Sequence, residues 1–497
     1  MRKSGALLIH LPLLLFMANP GAHAQTIGMS AGRMPIEALS VPAQQAEAPD
    51  VVVIGGLTAN AASSNEVRAA YEAYANSPDN FLDVTFIPLA NPGAETLAFP
   101  PPEPAYSGNW TAWSLWQWFA AHAPDAVLIV GDDNGLGAAL SAGIAGLGNI
   151  PVTAYAYDRP LLDIISGPRK IATSPAHAAL IARSKRSAAD MAQGLAGVYG
   201  QELGALTYIP GMALIGRLRL GQIAEVESIV APQLDAIEAL VIDNSLQIAG
   251  HLLFAELAER TNNPRYLALA RRAADLGFAA DGRPLDAMPF HGDYSDAFFM
   301  ATPLLAKVGK LTGDTRYFDL ALNHVNFLHD LLLREDGLYN HWPRAEAAWG
   351  RGNAFVALGL ALALSDIPDT HPAQARLLEL FRAHLQTLLR YQDTDGMWRN
   401  IIDVPGSYPE LSATAMIATA IQRGVDRGWL DAFFQNSADS AWKGVVARSD
   451  ETYGFRDVCE STPGQESFEL YLNRRALGGR DDRAGGMTLM LATERMD

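Results

Sequence analysis

Between residues 50 and about 156 the apolar positions come as short unbroken runs separated by helical-spaced stretches. Val51-Val52-Val53-Ile54 is β-branched throughout and closed by Gly55-Gly56, and Ala126-Val127-Leu128-Ile129-Val130 repeats the device; such runs predict strands buried on both faces. A third strand is expected at Leu82–Leu89, with helices over Asn65–Tyr74 and Trp110–Ala121. The alternation predicts an α/β unit with a mostly parallel sheet over 25–160, interrupted by a Pro-rich loop from Asn91 to Tyr106 and followed by a linker at Tyr157–Ser174. From about residue 175 the strand pattern stops, and apolar positions recur at helical spacing to the end, in twelve stretches joined by short turns. Thr261, Arg265, Tyr266 and Ala270 recur 51 residues on as Thr312, Arg316, Tyr317 and Ala321, and later hairpins share Asp336-Gly337-Leu338-Tyr339, Asp395-Gly396-Met397-Trp398 and Tyr453-Gly454-Phe455. Repeated helical hairpins build either an open superhelix or a closed ring. Six of them suit a double-layered toroid over 175–497, so the expected fold is mainly α, an (α/α)6 toroid preceded by a smaller α/β domain.

Composition narrows the class. With 37 Lys+Arg against 54 Asp+Glu the net charge is −17, and no basic run is present, which disfavours nucleic acid and anionic membrane as partners. The single cysteine, Cys459, excludes an intrachain disulfide and a cysteine-based metal cluster. At the start, Arg2 and Lys3 precede an apolar stretch from Ala6 to Ala18 and then Ala22-His23-Ala24, the pattern of a cleaved export signal over 1–24. The mature chain is then expected to begin near Gln25, to be soluble, and to reside in the periplasm or outside the cell. No later run approaches the ~20 apolar residues a membrane span needs.

In a ring of hairpins the alternate, inner helices all start at one rim. Asp243-Asn244, His291-Gly292-Asp293-Tyr294-Ser295-Asp296, Trp349-Gly350-Arg351-Gly352-Asn353 and Tyr408-Pro409-Glu410-Leu411-Ser412 each precede or open such a helix. Together they describe a carboxylate-bearing, aromatic-lined pocket with one arginine. Unpaired N–H groups at helix starts add partial positive charge that suits an anion. Each residue also has a structural alternative. Asp243 and Asp296 can be helix N-caps, and Arg351 can pair with a structural carboxylate. Trp349, Tyr294 and Phe355 can be core, and His341 can be a satisfied loop histidine.

Asp296-Ala297-Phe298-Phe299-Met300-Ala301-Thr302-Pro303, followed by Leu311–Tyr317, resembles glycoside hydrolase family 105, the unsaturated rhamnogalacturonyl hydrolases. Gly337-Leu338-Tyr339-Asn340-His341-Trp342, Trp349–Asn353, Tyr408–Met416 and the Gly485-Gly486 helix start are similar to it as well, so the resemblance runs from about residue 200 to the C-terminus. It implies an (α/α)6 barrel that removes a 4,5-unsaturated uronyl residue from the non-reducing end of lyase-generated oligosaccharides. The implied chemistry is vinyl-ether hydration: a carboxylic acid protonates C4, water is guided to C5, and the hemiketal opens. In that scheme Asp296 matches the general acid/base and Asp243 the second aspartate. Arg351 would bind the uronate carboxylate, Trp349 would stack beneath the sugar, and His291 and His341 would be pocket histidines. Tyr294, Asn353 and Phe355 complete the expected binding set, Phe355 standing where the family often has a tryptophan and Gly292 where a polar residue is common. No metal or other cofactor is implied. A polysaccharide lyase on a helical toroid and a non-catalytic oligosaccharide-binding protein are the competing readings.

The front unit, Val51–Asn60 with Ile87–Pro92, loosely resembles the zinc carboxypeptidase fold. Thr58 and Ala61 stand where His and Glu ligands would be, which argues for a degenerate, non-catalytic domain. Gly131-Asp132-Asp133-Asn134-Gly135 lacks the lysine of a phosphate-cradling loop.

Overall fold

A computed structural model of the chain describes residues 23–167 and 170–496. The export signal's charged start and apolar stretch lie outside the described residues. No helix of the described chain is long and apolar enough to cross a membrane.

The α/β unit is a six-stranded sheet of order β1-β2-β4-β3-β5-β6. Its strands are β1 (His23–Met29), β2 (Pro35–Val41), β3 (Asp50–Ile54), β4 (Asp83–Ile87), β5 (Ala126–Ile129) and β6 (Val152–Ala154). Strands β4, β3, β5 and β6 run parallel; the first three lie at the expected runs, and the short β6 was not expected. The sequence reading missed β1 and β2, an antiparallel hairpin that extends the sheet through β4, because alternating, half-buried residues such as Pro35-Ile36-Glu37-Ala38 carry a weaker signal.

Helix Trp110–His122 joins this unit to the helical region. Eleven of its thirteen residues are buried, so it is apolar on every side and must be enclosed. It lies between the sheet and the rim of the helical region, where Tyr106, Trp110 and Trp113 share one core with Trp349, Ile401, Tyr408 and Tyr471. Tyr106 stacks on Tyr408 with ring centres 4.8 Å apart. The front unit is therefore part of the wall behind the rim rather than a tethered appendage.

One docking bond titrates. His122 Nε2 lies 3.2 Å from Asp395 Oδ1, which also accepts from Gln25 Nε2, while Arg448 reaches Asp395 Oδ2 at 3.4 Å. Burial pushes the His122 imidazole down, but Asp395 outweighs it and holds it above its ordinary value. Burial likewise penalises the Asp395 carboxylate, and His122 and Arg448 overcome that to hold it below the ordinary range. The histidine's raised value means its stabilisation is complete below its unfolded pKa and is lost as pH rises through the folded one. The aspartate's lowered value means its share is lost in acid. The stability lost in His122→Gln, measured as a difference in Tm from the wild type, should be greatest between about pH 4 and 6.5 and shrink above that window. A pH-independent difference would show that the ring acts by packing alone.

The helical region is built on six inner helices: Tyr208–Arg219, Ser245–Thr261 (kinked at His251), Ala297–Thr312, Gly350–Leu364, Leu411–Asp426 and Asp482–Glu494. Each packs on the next, and the last packs back on the first. Their C-terminal ends line one cavity of about 500 Å³, through Arg219, Glu259, Lys310, Asp366, Asp426 and Glu494. All six therefore run in the same direction, and their starts share the opposite rim. Outer helices, among them Ala188–Val198, Pro264–Ala274, Arg316–Leu332, Pro372–Leu389 and Phe434–Ala447, pack outside them.

The 51-residue repeat is the turn from an inner to an outer helix. Thr261 and Thr312 hydroxyls each donate to the carbonyl four residues back and accept the N–H two residues on. The Asp-Gly turns bring the chain from an outer helix back to the rim; Gly396 has φ +79°, and a Cβ there would sit 2.2 Å from the Ser440 carbonyl oxygen. Some helix expectations need correction. The first of the twelve stretches, expected over 177–198, breaks into Pro175–Ser184 and Ala188–Val198, because Ser187 and Asp190 form a capping box, and the one expected over 222–240 breaks into Ile223–Val230 and Leu234–Ala239 around Pro232. The region after 447 is not all helical either: Phe455–Cys459 and Ala476–Gly479 pair as a two-stranded sheet carrying a short helix, Phe468–Leu472.

Candidate active site

The rim residues converge from four inner-helix starts and from the excursion between the two strands just described. Asp296 sits at the N-cap position of helix 297–312 but keeps helical φ/ψ and caps nothing, so its carboxylate is not spent on its own helix. Its side chain is 20% exposed, and Oδ1 lies 3.2 Å from His341 Nε2. The two atoms are buried, close, and out of line for a hydrogen bond. The loop carrying His341 is pinned to the same place, since Ser295 N donates to the His341 carbonyl and His341 N to that of Ala347, each at 3.0 Å. On its other side His341 Nδ1 meets the Tyr471 hydroxyl at 2.6 Å. Tyr294 stacks on the imidazole with centres 5.1 Å apart and planes 17° off parallel, and Trp342 lies 6.0 Å beyond. The 460–467 loop presses on both rings: a Cβ at Gly464 would be 2.7 Å from Tyr294 and 2.9 Å from Trp342.

The other expected site residues divide. Asp243 is at the same rim, at the start of the neighbouring inner helix, and its exposed carboxylate accepts from Asn244 Nδ2 at 2.7 Å. Asn244, not Asp243, caps the helix by accepting from Gln247 N. No hydrogen bond or ion pair joins Asp243 to Asp296 among the described residues. His291 is partly exposed at the same loop, held by Asp293 N and edge-on to Phe327. Four assignments are corrected by burial. Trp349 is 1% exposed, faced by His341 and Arg351 and bonded through Nε1 to Asn400, so a sugar cannot stack on it. Tyr294 and Trp342, by contrast, are part-exposed. Phe355 packs between Tyr208 and Phe299 in the helical core. Asn353 has its amide spent on the backbone of Tyr339 and Trp349.

Arg351, fourth, is 3% exposed and donates to the Cys459 and Glu460 carbonyls at 2.8 and 2.6 Å, and to Ser412 Oγ at 3.3 Å. It is the clamp that fixes the 459–475 excursion to the rim, 4.8 Å behind the Trp349 ring. Glu410 completes that clamp: fully buried, it accepts from Ser412 N, Ala413 N and Cys459 N. Arg351→Ala takes its donor from the buried Cys459 carbonyl, at about 1–3 kcal/mol, and leaves the Glu460 carbonyl with Thr462 Oγ1 alone. It should lower Tm and speed hydrogen exchange across 455–479 together, whereas a raised KM at unchanged Tm would return the residue to direct ligand contact.

Sequence reasoning missed Tyr471 and the exposed Arg344, whose guanidinium lies 4.6 Å over Trp342. Tyr471 lies 130 residues from His341 in an irregular segment, so no periodicity points to it. Trp342 is adjacent to His341 in the Gly337–Trp342 motif, where nothing in sequence separates a surface tryptophan from a core one. Among the described residues no cluster of three or more His, Cys, Asp or Glu is arranged to hold a metal ion.

The comparisons with known proteins follow this geometry. A family model described as Glycosyl Hydrolase Family 88 matches residues 228–497, more than half of the chain. The chain is 30% identical over 166 residues to an unsaturated 3S-rhamnoglycuronyl hydrolase of Alteromonas sp. (strain LOR), covering 31% of this chain and 40% of that protein. It is 34% identical over 136 residues to the unsaturated rhamnogalacturonyl hydrolase YesR of Bacillus subtilis, covering 26% of this chain and 40% of that one. The matched segments thus span about two-fifths of these relatives' length. A solved structure of a possible GH105 member from Klebsiella pneumoniae superposes with a TM-score of 0.53 at 21% identity, over 67% of this chain and 95% of that one. This last likeness shows a shared fold.

Proposed function

The chain belongs to Glycosyl Hydrolase Family 88, and from that premise we propose that it is a glycosidase acting on an oligosaccharide with a 4,5-unsaturated uronyl residue at its non-reducing end. Its inner and outer helices are read as the six hairpins of an (α/α)6 toroid. The observation that carries the reading is Asp296: a carboxylate free of capping duty, partly exposed at the rim, with His341 at 3.2 Å. Such a group can deliver a proton to the electron-rich C4 of a vinyl ether, and general acid catalysis of this kind contributes about 10²–10⁴ in rate. Asp243, exposed on the next helix start, is assigned to guiding water to C5. Tyr294 and Trp342 offer the apolar faces for the sugar ring. Arg351 contributes as a buried positive charge behind the wall, and Arg344 is the exposed cation nearest those rings. The relatives' names, both specifying unsaturated glycuronyl-type substrates, support the same class. The signal-like pattern at the start supports export to the periplasm or beyond.

The test is a panel of lyase-generated oligosaccharides followed by ultraviolet absorbance. Loss of the double bond's absorbance, with release of the saturated remainder, is expected. A gain of absorbance on intact polysaccharide would make the protein a lyase, and tight binding without change would make it a binding protein.

A further inference from the structure

We propose that Tyr471, supplied by the excursion between the last two strands, is a positioning residue that fixes the tautomer of His341 so that the ring proton sits on Nε2, the nitrogen beside Asp296. The inference rests on the reading of Asp296 as the proton donor. A phenol has one proton and can also accept. The Tyr471 oxygen accepts from the Gln465 N–H at 3.1 Å and lies 2.6 Å from His341 Nδ1. Among the described residues no other acceptor lies within hydrogen-bond reach of that hydroxyl, and Tyr471 is fully buried. The phenolic proton therefore goes to Nδ1, because the opposite arrangement would bury a hydroxyl proton with nothing to accept it. Burial also pushes the Tyr471 hydroxyl up, which keeps it protonated. With Nδ1 accepting, the ring proton is on Nε2, 3.2 Å from Asp296 Oδ1. The arrangement sets an N–H dipole 3.2 Å from one Asp296 oxygen, without a hydrogen bond in line to it, and leaves the other oxygen to carry the proton toward substrate. The titratable and charged groups around the ring are Asp296, Tyr294 and Tyr471, with Arg351 beyond Trp349.

Two measurements on the intact protein test this. In the wild type, ¹⁵N spectra of histidine-labelled protein, with His341 assigned by the signals lost in His341→Gln, should show Nε2 protonated and Nδ1 as an acceptor. An Nδ1–H tautomer would overturn the proposal, and this readout needs neither substrate nor activity. In Tyr471→Phe the ring stays and the hydroxyl goes. The expected result is loss of the single tautomer, a fall in kcat of about tenfold to a hundredfold with KM within about threefold, and a shifted acidic limb of the pH–rate profile. Unchanged kcat and an unchanged profile in a folded Tyr471→Phe protein would also overturn it. If no unsaturated oligosaccharide is turned over by the wild type, the reading of the site falls, while the spectrum still decides the tautomer.

Discussion

Asp296→Asn is expected to lower kcat about a thousandfold while leaving the fold and most of the substrate affinity in place. The amide keeps the volume and still lies against His341, but it has no acidic proton to give to C4. Among the described residues the side chain caps no helix, and its ion-pair contact is with His341 Nε2. Steady-state kinetics by absorbance loss, with Tm measured alongside, separates the effects. Retained turnover would take the proton-donor role away from this residue. A fall in Tm comparable with that of a core substitution would instead show that the carboxylate holds the rim together.

The second large effect lies at the far end of the helical ring. Buried Lys307 reaches Glu259 at 2.8 Å, Asp366 at 3.1 Å and Glu256 at 3.2 Å, and Lys310 shares Glu259 and Asp366. Arg219 and Arg423 clasp Glu494 across the same cavity. Six inner helices end here, concentrating partial negative charge, and the cations answer it as well as the carboxylates. Removing a buried partner leaves its counter-charges uncompensated, so Lys307→Met should destabilise by about 3 kcal/mol. For a domain of this size that is a fall in Tm of about 3–5 °C. The same variant should leave kcat unchanged, because the site is at the opposite rim. An unaltered Tm would show that Lys310 and Arg260 hold the carboxylates unaided.

The chain's linear pattern determined a good deal of this protein. Unbroken β-branched runs at 51–54 and 126–130 mark the parallel strands, because a strand buried on both faces must be apolar at every position. Helical spacing marks the inner helices to within a few residues, since one stripe of each must face its neighbours. The 51-residue recurrence records one turn used twice, through threonine hydroxyls acting on their own backbone. Asp296 was legible for a local reason too: an acid at a helix start is readable from order alone.

What only the tertiary structure decided is which rim residues remain free. Trp349, Arg351, Asn353 and Phe355 read as rim residues in sequence, yet Trp349 joins a core with the front unit's helix 110–122, Arg351 is covered by the 455–479 excursion, and Asn353 and Phe355 are spent inside the helical region itself. Burial depends on what arrives from elsewhere in the chain, and Tyr106 meeting Tyr408, or Glu460 meeting Arg351, spans 302 and 109 residues. The link from Tyr471 to His341 to Asp296 is of the same kind. Hydrogen-bond geometry is a property of three-dimensional proximity, and a sequence records only neighbours along the backbone.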